Sequence, residues 1–296
     1  MSKNRTYNVA GLGEVLWDVF FDEKKLGGAP ANFAAHAQQL GAKSYLLSAV
    51  GKDLLGQKAI DQLMLLGIDT SGVQFNRYSP TGRVIVSLDS MGNPAYKIDV
   101  NSAWDHIQFN TLQAKIAKRL DAICFGTLAQ RSPNSKNTIF KILRATPPSC
   151  LRVFDVNFRQ NYYHPKIIKQ NLNIANAVKM NEEEFLEIGK MFSFSKNHKK
   201  GLRFLINEFD LKFGIITLGE KGALMASQDH FCSYSPEKKI EIKSTVGAGD
   251  AFTAATVMGW LNQNPLDQII QKATDLASFV CSYLEAVPLK QKIKIQ

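Results

Sequence analysis

The sequence has no paired-cysteine motif and no long apolar run. Its 296 residues include four cysteines, which are widely separated and form no C-x-x-C pair, so neither a zinc knuckle nor a redox motif is predicted. No stretch approaches the ~18 uninterrupted apolar residues of a membrane-spanning helix, and residues 1–6 are polar with no apolar signal segment after them. These absences favour a cytoplasmic protein without a membrane partner, whose thiols are reduced and mostly buried.

Clusters of basic residues are scarce, although the formal net charge is +10. The lysines and arginines are scattered and cluster only in residues 196–200 and 290–294, where no aromatic-rich basic motif accompanies them. The pattern therefore favours a solvated basic face over a nucleic-acid site. A general positive field would still help to attract anionic nucleotides.

Apolar strand-like runs alternate with helix-like stretches along most of the chain. This alternation is typical of an α/β fold with a mostly parallel sheet and helices on both faces, and such folds bind ligands at the carboxyl ends of the strands. The length allows one large domain or two small ones. Strands are predicted at 7–11, 44–50, 122–125, 152–156, 177–180 and 214–218, and helices at 31–40, 56–66, 135–144, 165–175, 201–209 and 266–284.

Two segments, 14–26 and 81–103, break this alternation. Polar and apolar residues alternate within them, and residues 89–93 read as a hairpin turn. The pattern alone predicts strands that extend one edge of the main sheet.

Residues 244–252, Ser-Thr-Val-Gly-Ala-Gly-Asp-Ala-Phe, carry the strongest chemical signal. The apolar run after Asp250 predicts a buried helix that ends near 264–265, so Gly247, Ala248 and Gly249 lie at its N-terminus. Unpaired backbone N–H groups and the helix dipole suit a phosphate oxygen there. Asp250 can face the same oxygen and accept the proton of an attacking hydroxyl. Alone, the segment is equally consistent with an ordinary helix start whose acid complements the dipole.

Five further motifs occur in order along the chain, and with residues 244–252 they resemble the PfkB, or ribokinase-like, family of sugar and nucleoside kinases. Residues 103–107 and 125–132 look most like bacterial fructokinase-type members. The resemblance covers nearly all of the chain. The five motifs are GEVLWD at 13–18, GGAPANFA at 27–34, DVNFR at 155–159, NEEE at 181–184 and TLGEKG at 217–222.

The resemblance implies a three-layer ribokinase-like fold in one domain, residues 1–296, with a small β lid formed by about 14–27 and 81–106. The implied activity is ATP-dependent phosphorylation of a sugar hydroxyl, with fructose as the expected sugar. The alternatives are a kinase for ribose, a nucleoside or a sugar acid, and a catalytically silent sugar-binding regulatory protein. Because lid strands of this family often pair between subunits, a homodimer through the lid is compatible with the resemblance.

By the same resemblance, the sugar site contains Asp18, Gly28, Asn32 and Arg159. A carboxylate and an amide in such a site discriminate between polyols, because a missing hydroxyl leaves a buried polar group unsatisfied. Local alternatives exist for three of these residues. Asp18 would be an exposed strand carboxylate, Asn32 a helix cap, and Arg159 an ion-pair partner of Asp155, whose side chain the alternating pattern places on the same side of a strand end.

The resemblance places catalysis at Asp250 with the Gly247, Ala248 and Gly249 cradle. It also implies a nucleotide site and a water-mediated Mg²⁺ site. Without the resemblance, the residues of the Mg²⁺ site would be interpreted as a solvated helix start with acids in its first turn. Lys221 does not belong to a Walker loop, since the G-x-x-x-x-G-K-[ST] pattern is absent. The nucleotide site comprises Thr217, Gly219 and Gly222, and the magnesium site Asn181 and Glu184.

Two positions depart from the family pattern. Many members carry Asp where Ser244 stands, and that carboxylate helps to hold a monovalent cation. Many also read Gly-Ala where this chain has Glu285-Ala286. The cradle and Asp250 are intact, and potassium activation is left open.

Overall fold

A computed structural model describes residues 5–20, 23–88, 94–236 and 240–289. Its larger sheet has nine strands, all parallel except β12, which runs antiparallel to both of its neighbours. In spatial order the strands are β13 (Phe231–Tyr234), β12 (Ala223–Ala226), β11 (Phe213–Thr217), β10 (Ala177–Asn181), β9 (Leu151–Asp155), β8 (Ala122–Phe125), β1 (Asn8–Leu12), β4 (Lys43–Gly51) and β5 (Val73–Asn76).

Helices cover both faces of this sheet. Successive strand residues point to opposite faces, so Val9 joins one apolar core and Ala10 the other. Helices α1, α8 and α9 cover the first face and α3 to α7 the second, while α2 packs beside α1. The helices are α1 (Ala29–Gln39), α2 (Leu54–Leu65), α3 (Thr111–Ala117), α4 (Pro133–Ala145), α5 (Pro165–Ile174), α6 (Glu182–Phe192), α7 (His198–Phe209), α8 (Ala248–Leu261) and α9 (Leu266–Cys281).

The predicted α/β class, with a mostly parallel sheet between two helical layers, is confirmed. All six strands and six helices predicted from the alternation are present, with ends that differ by up to three residues, and the helix predicted after Asp250 is present as α8. The pattern missed β5, β12, β13 and α3, and of α6 it predicted only the start, at residues 181–184. The four missed elements have four to seven residues, too few for a periodic pattern to identify them.

A second, four-stranded sheet is built from the two segments that broke the alternation. Its order is β3, β2, β6, β7, with β2 parallel to β6 and the outer strands antiparallel to them. The edge extension expected from the pattern alone is therefore wrong, because these strands pair with one another. The predicted hairpin turn at 89–93 lies outside the described residues. The strands are β2 (Leu16–Val19), β3 (Lys24–Gly27), β6 (Gly82–Leu88) and β7 (Pro94–Ile98).

The two fructokinase-like motifs meet at the base of the small sheet. Arg131 forms a buried ion pair with Asp105 at 2.7 Å, and its guanidinium lies 3.9 Å from the centre of the Trp104 ring. Ser135 donates a hydrogen bond to the Trp104 carbonyl at 2.7 Å. Trp104 is fully buried, so it is a core side chain and does not present its ring to a ligand.

All four cysteines and the predicted helices lie in the described residues. Cys124, Cys150 and Cys232 are buried free thiols, and Cys281 is partly exposed. In the described residues, none of the helices has the length and apolar character that crossing a membrane requires.

Candidate active site

Helices α1 and α8 begin side by side, and a hydrogen bond joins their first turns. Asn32 Nδ2 donates to Asp250 Oδ2 at 2.9 Å. Asn32 is buried, and Asp250 lies in the first turn of α8. The amide of the predicted sugar site and the carboxylate of the predicted cradle, 218 residues apart in sequence, thus form one polar centre.

The backbone at Gly247 requires glycine. Its φ of 82° lies in the left-handed region, and a Cβ there would collide with the Ala286 carbonyl oxygen. That carbonyl also contacts His36 Nε2 at 2.9 Å. Burial lowers the pKa of His36 to about 4 against the effect of this hydrogen bond, so His36 is neutral and donates. Segment 285–286 therefore packs directly against the cradle.

The start of α1 brings Asp18 and Gly28 to the same place. Gly28 has a φ of 108°, and a Cβ there would lie 2.6 Å from the Glu14 carbonyl oxygen. A Cβ on Gly27 would lie 2.6 Å from Asp18 Oδ2. Asp18 is in β2, on the small sheet, whereas Asn32 is in the main body. The predicted sugar residues therefore come from both the small sheet and the main body, and we call the region around Asp18, Asn32 and Asp250 the cleft.

Buried carboxyl groups give the cleft unusual proton affinities. Burial, then the charge of Asp155, raises the pKa of Asp250 to about 7, against the Asn32 hydrogen bond and the charges of Lys179 and Arg159. Burial raises the pKa of Asp18 to about 6, which Arg159 opposes. A base whose pKa lies near neutrality can both accept and release a proton at neutral pH.

Glu14 is a buried carboxyl group to which the sequence reading assigned no role. It is 3% exposed, and its Oε2 has no hydrogen-bond partner among the described residues. Burial raises its pKa to about 7, against backbone hydrogen bonds and the charges of Arg159 and Arg131. The available signal was a charged residue in the GEVLWD motif shortly after a buried strand.

Arg159 faces this cleft, and the expected alternating strand does not extend to it. Strand β9 ends at Asp155, and Asn157 has a left-handed φ of 40°. The prediction that alternation places Asp155 and Arg159 on one side of a strand end is therefore wrong. Asp155 pairs with Lys179 at 3.1 Å, and the charge of Arg159 acts on Glu14, Asp18 and Asp250. The Asp155–Arg159 ion pair is not present.

Lys179, which the sequence reading did not single out, lies beneath the cradle. Its Nζ donates to both Asp155 oxygens, at 3.1 and 3.2 Å, and a Cβ on Gly249 would lie 3.0 Å from Nζ. Thr253 Oγ1 donates to Asp155 Oδ2 at 3.0 Å. The available signal was a charged residue inside the otherwise apolar run 177–180.

Asn181 and Glu184 form a capping box at the start of α6. Asn181 Oδ1 accepts from the Glu184 N–H and Glu184 Oε2 from the Asn181 N–H, both at 2.8 Å. Glu184 Oε1 accepts from the Phe158 N–H at 2.8 Å. Glu184 is buried, and burial raises its pKa against the charge of Lys179. Since backbone donors occupy both carboxylate oxygens, the donor set fits Mg²⁺ through water rather than by direct ligation.

The predicted nucleotide residues lie at the end of β11, next to this capping box. Thr217 is in register with Asn181 on the neighbouring parallel strand. Gly219 and Gly222 have φ of 61° and 91°, and a Cβ on Gly222 would collide with the Tyr234 carbonyl oxygen. The turn geometry thus requires glycine at 222, and the nucleotide role of all three residues stays a prediction.

Ser244 is held by the backbone around it. Its N–H donates to the Cys281 carbonyl at 3.2 Å, and its Oγ accepts from the Val246 N–H at 3.2 Å. These contacts fix the loop before the cradle to the end of α9.

Comparisons with known proteins identify the family and the fold of this chain. The family model described as "pfkB family carbohydrate kinase" matches residues 6–292. The Pyrococcus horikoshii sugar kinase PH1459 is 30% identical over 276 residues, which cover 88% of this chain and 84% of that protein. A crystal structure of PH1459, described as an uncharacterized sugar kinase in complex with ATP, superposes with a TM-score of 0.82 at 27% identity over 96% of each chain.

Two relatives are named fructokinases. The Salmonella typhimurium fructokinase is 27% identical over 266 residues, covering 87% of this chain and 84% of that protein. The Vibrio cholerae fructokinase, solved with fructose, ADP and calcium, has a TM-score of 0.81 at 21% identity over 96% of each chain, which shows the shared fold. The predicted ribokinase-like fold is confirmed, and the chain belongs to the pfkB family of carbohydrate kinases.

Proposed function

We propose that this sugar kinase transfers the γ-phosphoryl group of ATP to a hydroxyl of fructose. The observation that carries the proposal is the Asn32–Asp250 hydrogen bond of 2.9 Å. It joins the amide beside the proposed sugar site to the carboxylate at the cradle, so that a hydroxyl held there lies next to both a base and an anion site. A purely sugar-binding protein has no need of that combination.

In the proposed mechanism the chain positions the acceptor, takes its proton and stabilises the transferred charge. Asp18, the Gly28 backbone and Asn32 hold the sugar, with Arg159 at its rim. Asp250 accepts the hydroxyl proton late in the transition state, a contribution typically worth ~10²- to 10⁴-fold in rate.

The cradle and neighbouring turns hold the nucleotide in this proposal. Backbone N–H groups of Gly247, Ala248 and Gly249 bind the charge that spreads over the phosphoryl oxygens, without reorganisation during the reaction. The remainder of the nucleotide lies along Thr217, Gly219 and Gly222. Asn181 and Glu184 would hold Mg²⁺ through water, and the ion would neutralise part of the phosphate charge.

The small sheet is proposed to act as a lid within a single kinase domain. Asp18 belongs to that sheet and Asn32 to the main body, so closure would bring the two residues around one sugar and exclude water, a competing phosphoryl acceptor. We also propose a homodimer through this lid, to be checked by light scattering, and a cytoplasmic location, where ATP is available.

Fructose is favoured over other acceptors by the fructokinase relatives and by the fructokinase-like motifs that meet at Arg131 and Trp104. Ribose, a nucleoside or a sugar acid is the second candidate, since PH1459, at 30% identity, is described as uncharacterized. A silent regulatory protein is the third. Retention of Asp250 at the cradle argues against it.

ADP release with ATP and Mg²⁺ distinguishes these candidates. We expect the highest kcat/KM with fructose in a panel that includes ribose, nucleosides and sugar acids. A higher value with another acceptor would replace fructose and keep the kinase. Sugar binding by calorimetry without ADP release from any acceptor would instead support the silent protein.

A further inference from the structure

Lys179 occupies a place where a lysine is costly. It is the one lysine that is buried among the described residues, with 8% exposure. The other side chains of β10 from Ala177 to Met180 are apolar and buried. Burial of an ammonium group is unfavourable unless partners compensate for the lost water. A lysine in this strand therefore calls for a specific electrostatic reason.

The ammonium lies under the first turn of α8. A Cβ on Gly249 would lie 3.0 Å from Lys179 Nζ, closer than ordinary van der Waals contact, so glycine lets the ammonium stay here without displacement. Cations are normally favoured at helix C-termini, whereas here the ammonium adds to the positive end of the helix dipole. Asp155 holds it there through bonds of 3.1 and 3.2 Å. The ammonium and the first-turn N–H groups thus form one electropositive region.

Acidic groups surround this ammonium. Asp155 accepts hydrogen bonds from it through both carboxylate oxygens, at 3.1 and 3.2 Å, and the charges of Glu184 and Asp250 also act on it. Lys179 therefore stays protonated. Without its charge, three carboxyl groups would lie beneath a site that has to accept an anionic phosphate.

We propose that Lys179 is a positioning residue that supplies a fixed positive charge to the cradle. This charge lets the cradle accept the terminal phosphate of a nucleoside triphosphate although three carboxyl groups lie beneath it. This inference rests on the proposed function, in which the cradle binds the transferring phosphoryl group. The competing explanation is that the pair with Asp155 only fixes β9 to β10.

Two variants break the same ion pair with opposite changes of charge. Lys179→Met removes the cation and keeps the carboxylate, whereas Asp155→Asn removes the carboxylate and keeps the cation. A pair that only joins two strands would be lost in both, so both would change ligand binding in the same direction. If the charge of Lys179 attracts the phosphate, the two variants would instead change ligand binding in opposite directions. Lys190→Met, which removes an exposed lysine, is the matched control.

The first readout is the ratio of affinities for adenylyl imidodiphosphate, a nonhydrolysable ATP analogue, and for ADP, measured by calorimetry with Mg²⁺. Lys179→Met should weaken the analogue relative to ADP by ~10-fold or more, as expected for loss of a charged partner. Asp155→Asn should keep or raise the ratio, and Lys190→Met should leave it unchanged. An equal fall of the ratio in Lys179→Met and Asp155→Asn would overturn the proposal.

The second readout is the pH dependence of kcat/KM, which rises as Asp250 loses its proton. Lys179 lowers the pKa of Asp250, and Asp155 raises it. The rising limb should therefore move to higher pH in Lys179→Met and to lower pH in Asp155→Asn, and shifts of the same sign would contradict the proposal. The groups that face Asp250 or its neighbours are Glu14, Asn32, Cys124, Asp155, Arg159, Lys179 and Glu184.

A further pair of variants covers the case that Lys179→Met does not fold. Asp155→Asn and the double variant Asp155→Asn/Lys179→Met differ only in the cation, and the double variant leaves no buried charge of this pair unpaired. The affinity ratio should be ~10-fold lower in the double variant, and equal ratios would overturn the proposal. Wild-type protein that releases no ADP with any sugar would contradict the proposed function instead, and the affinity ratios would still test Lys179.

Discussion

Two buried ion pairs of this molecule have different surroundings. The Arg131–Asp105 pair is bidentate, with bonds of 2.8 and 2.7 Å, and Arg131 also donates to the Asp99 carbonyl at 2.6 Å. The face of the guanidinium covers Trp104. The guanidinium also lies 5.1 Å from the centre of the Tyr162 ring, and its charge acts on Glu14. Its two bonds to one carboxylate and its ring contacts are those of a pair that holds chain segments together.

The Lys179–Asp155 pair has different neighbours. Two further carboxyl groups, Glu184 and Asp250, act on Lys179, and its ammonium borders the N-terminal turn of α8. One pair thus joins the small sheet to the main body, and the other adjusts the charge of a binding site. Burial and ion-pair distance are similar in the two cases, so the neighbours, rather than the pair, reveal the role.

The largest expected effect comes from breaking the structural pair. Arg131→Met leaves Asp105 buried without its partner, and we expect the free energy of unfolding to fall by about 3–5 kcal/mol, measured by urea denaturation. The affinity ratio for the ATP analogue and ADP should be unchanged, in contrast to Lys179→Met. A stability loss within 1 kcal/mol of that in Arg144→Met, which removes an exposed arginine, would show that the pair does not anchor the small sheet.

The next effect concerns the bond that links the sugar site to the cradle. Asn32→Ala removes the donor to Asp250, and we expect kcat/KM for the sugar to fall by ~10- to 100-fold, as for loss of a hydrogen bond to a charged group. The rising limb of the pH profile should also move to higher pH, because this bond lowers the pKa of Asp250. Steady-state ADP release measures both, with the exposed Asn137→Ala as control. Unaltered kinetics in Asn32→Ala would show that this hydrogen bond does not couple the sugar site to the cradle.

Glu14 tests whether a buried carboxyl group of the cleft lowers the free energy of unfolding. Its pKa rises from 4.5 to about 7 on folding, so the folded state binds more protons between these values and stability falls as pH rises through that window. Glu14→Gln should raise the free energy of unfolding by about 1–3 kcal/mol at pH 8 and change it little at pH 4.5. The exposed Glu220→Gln is the control for denaturation at both pH values. A gain that does not depend on pH would contradict the assignment.

The smallest effect belongs to an exposed ion pair. Lys190 and Glu187 lie 2.9 Å apart on α6, with side chains 67% and 37% exposed. Water screens this pair, so Lys190→Met should change the free energy of unfolding by less than about 1 kcal/mol. A loss as large as that in Arg131→Met would show that burial does not distinguish these pairs.

The fold was predictable because apolar periodicity reports which elements are buried. The six strands and six helices found by the pattern form most of the main sheet and its two covering layers. The small sheet was placed wrongly by the pattern alone, since alternation shows that a strand has two different faces but does not identify its partners. The pairing of β2 with β6 joins the two segments in one small sheet, and the lid role that the family resemblance implies stays a proposal.

The candidate site was predictable only where a residue belongs to a motif. Gly28 and Gly247 stand out because each belongs to a glycine-rich motif before a predicted helix, and Asp250 because it follows Gly249 directly. Lys179 was missed because its role depends on Asp155 and Gly249, which lie on other elements and come together only in the folded chain. The end of β9 at Asp155, which changes the direction of the Arg159 side chain, was also missed, because the polar–apolar alternation of the sequence continues through residue 159.

ADP release by the wild type and by Asp250→Asn, with fructose, ATP and Mg²⁺, tests the central claim most directly. The account predicts that the variant binds sugar within a few-fold of the wild type while its kcat falls by ~10²-fold or more, because the acceptor keeps its partners and loses its base. Near-normal turnover in Asp250→Asn would contradict the account.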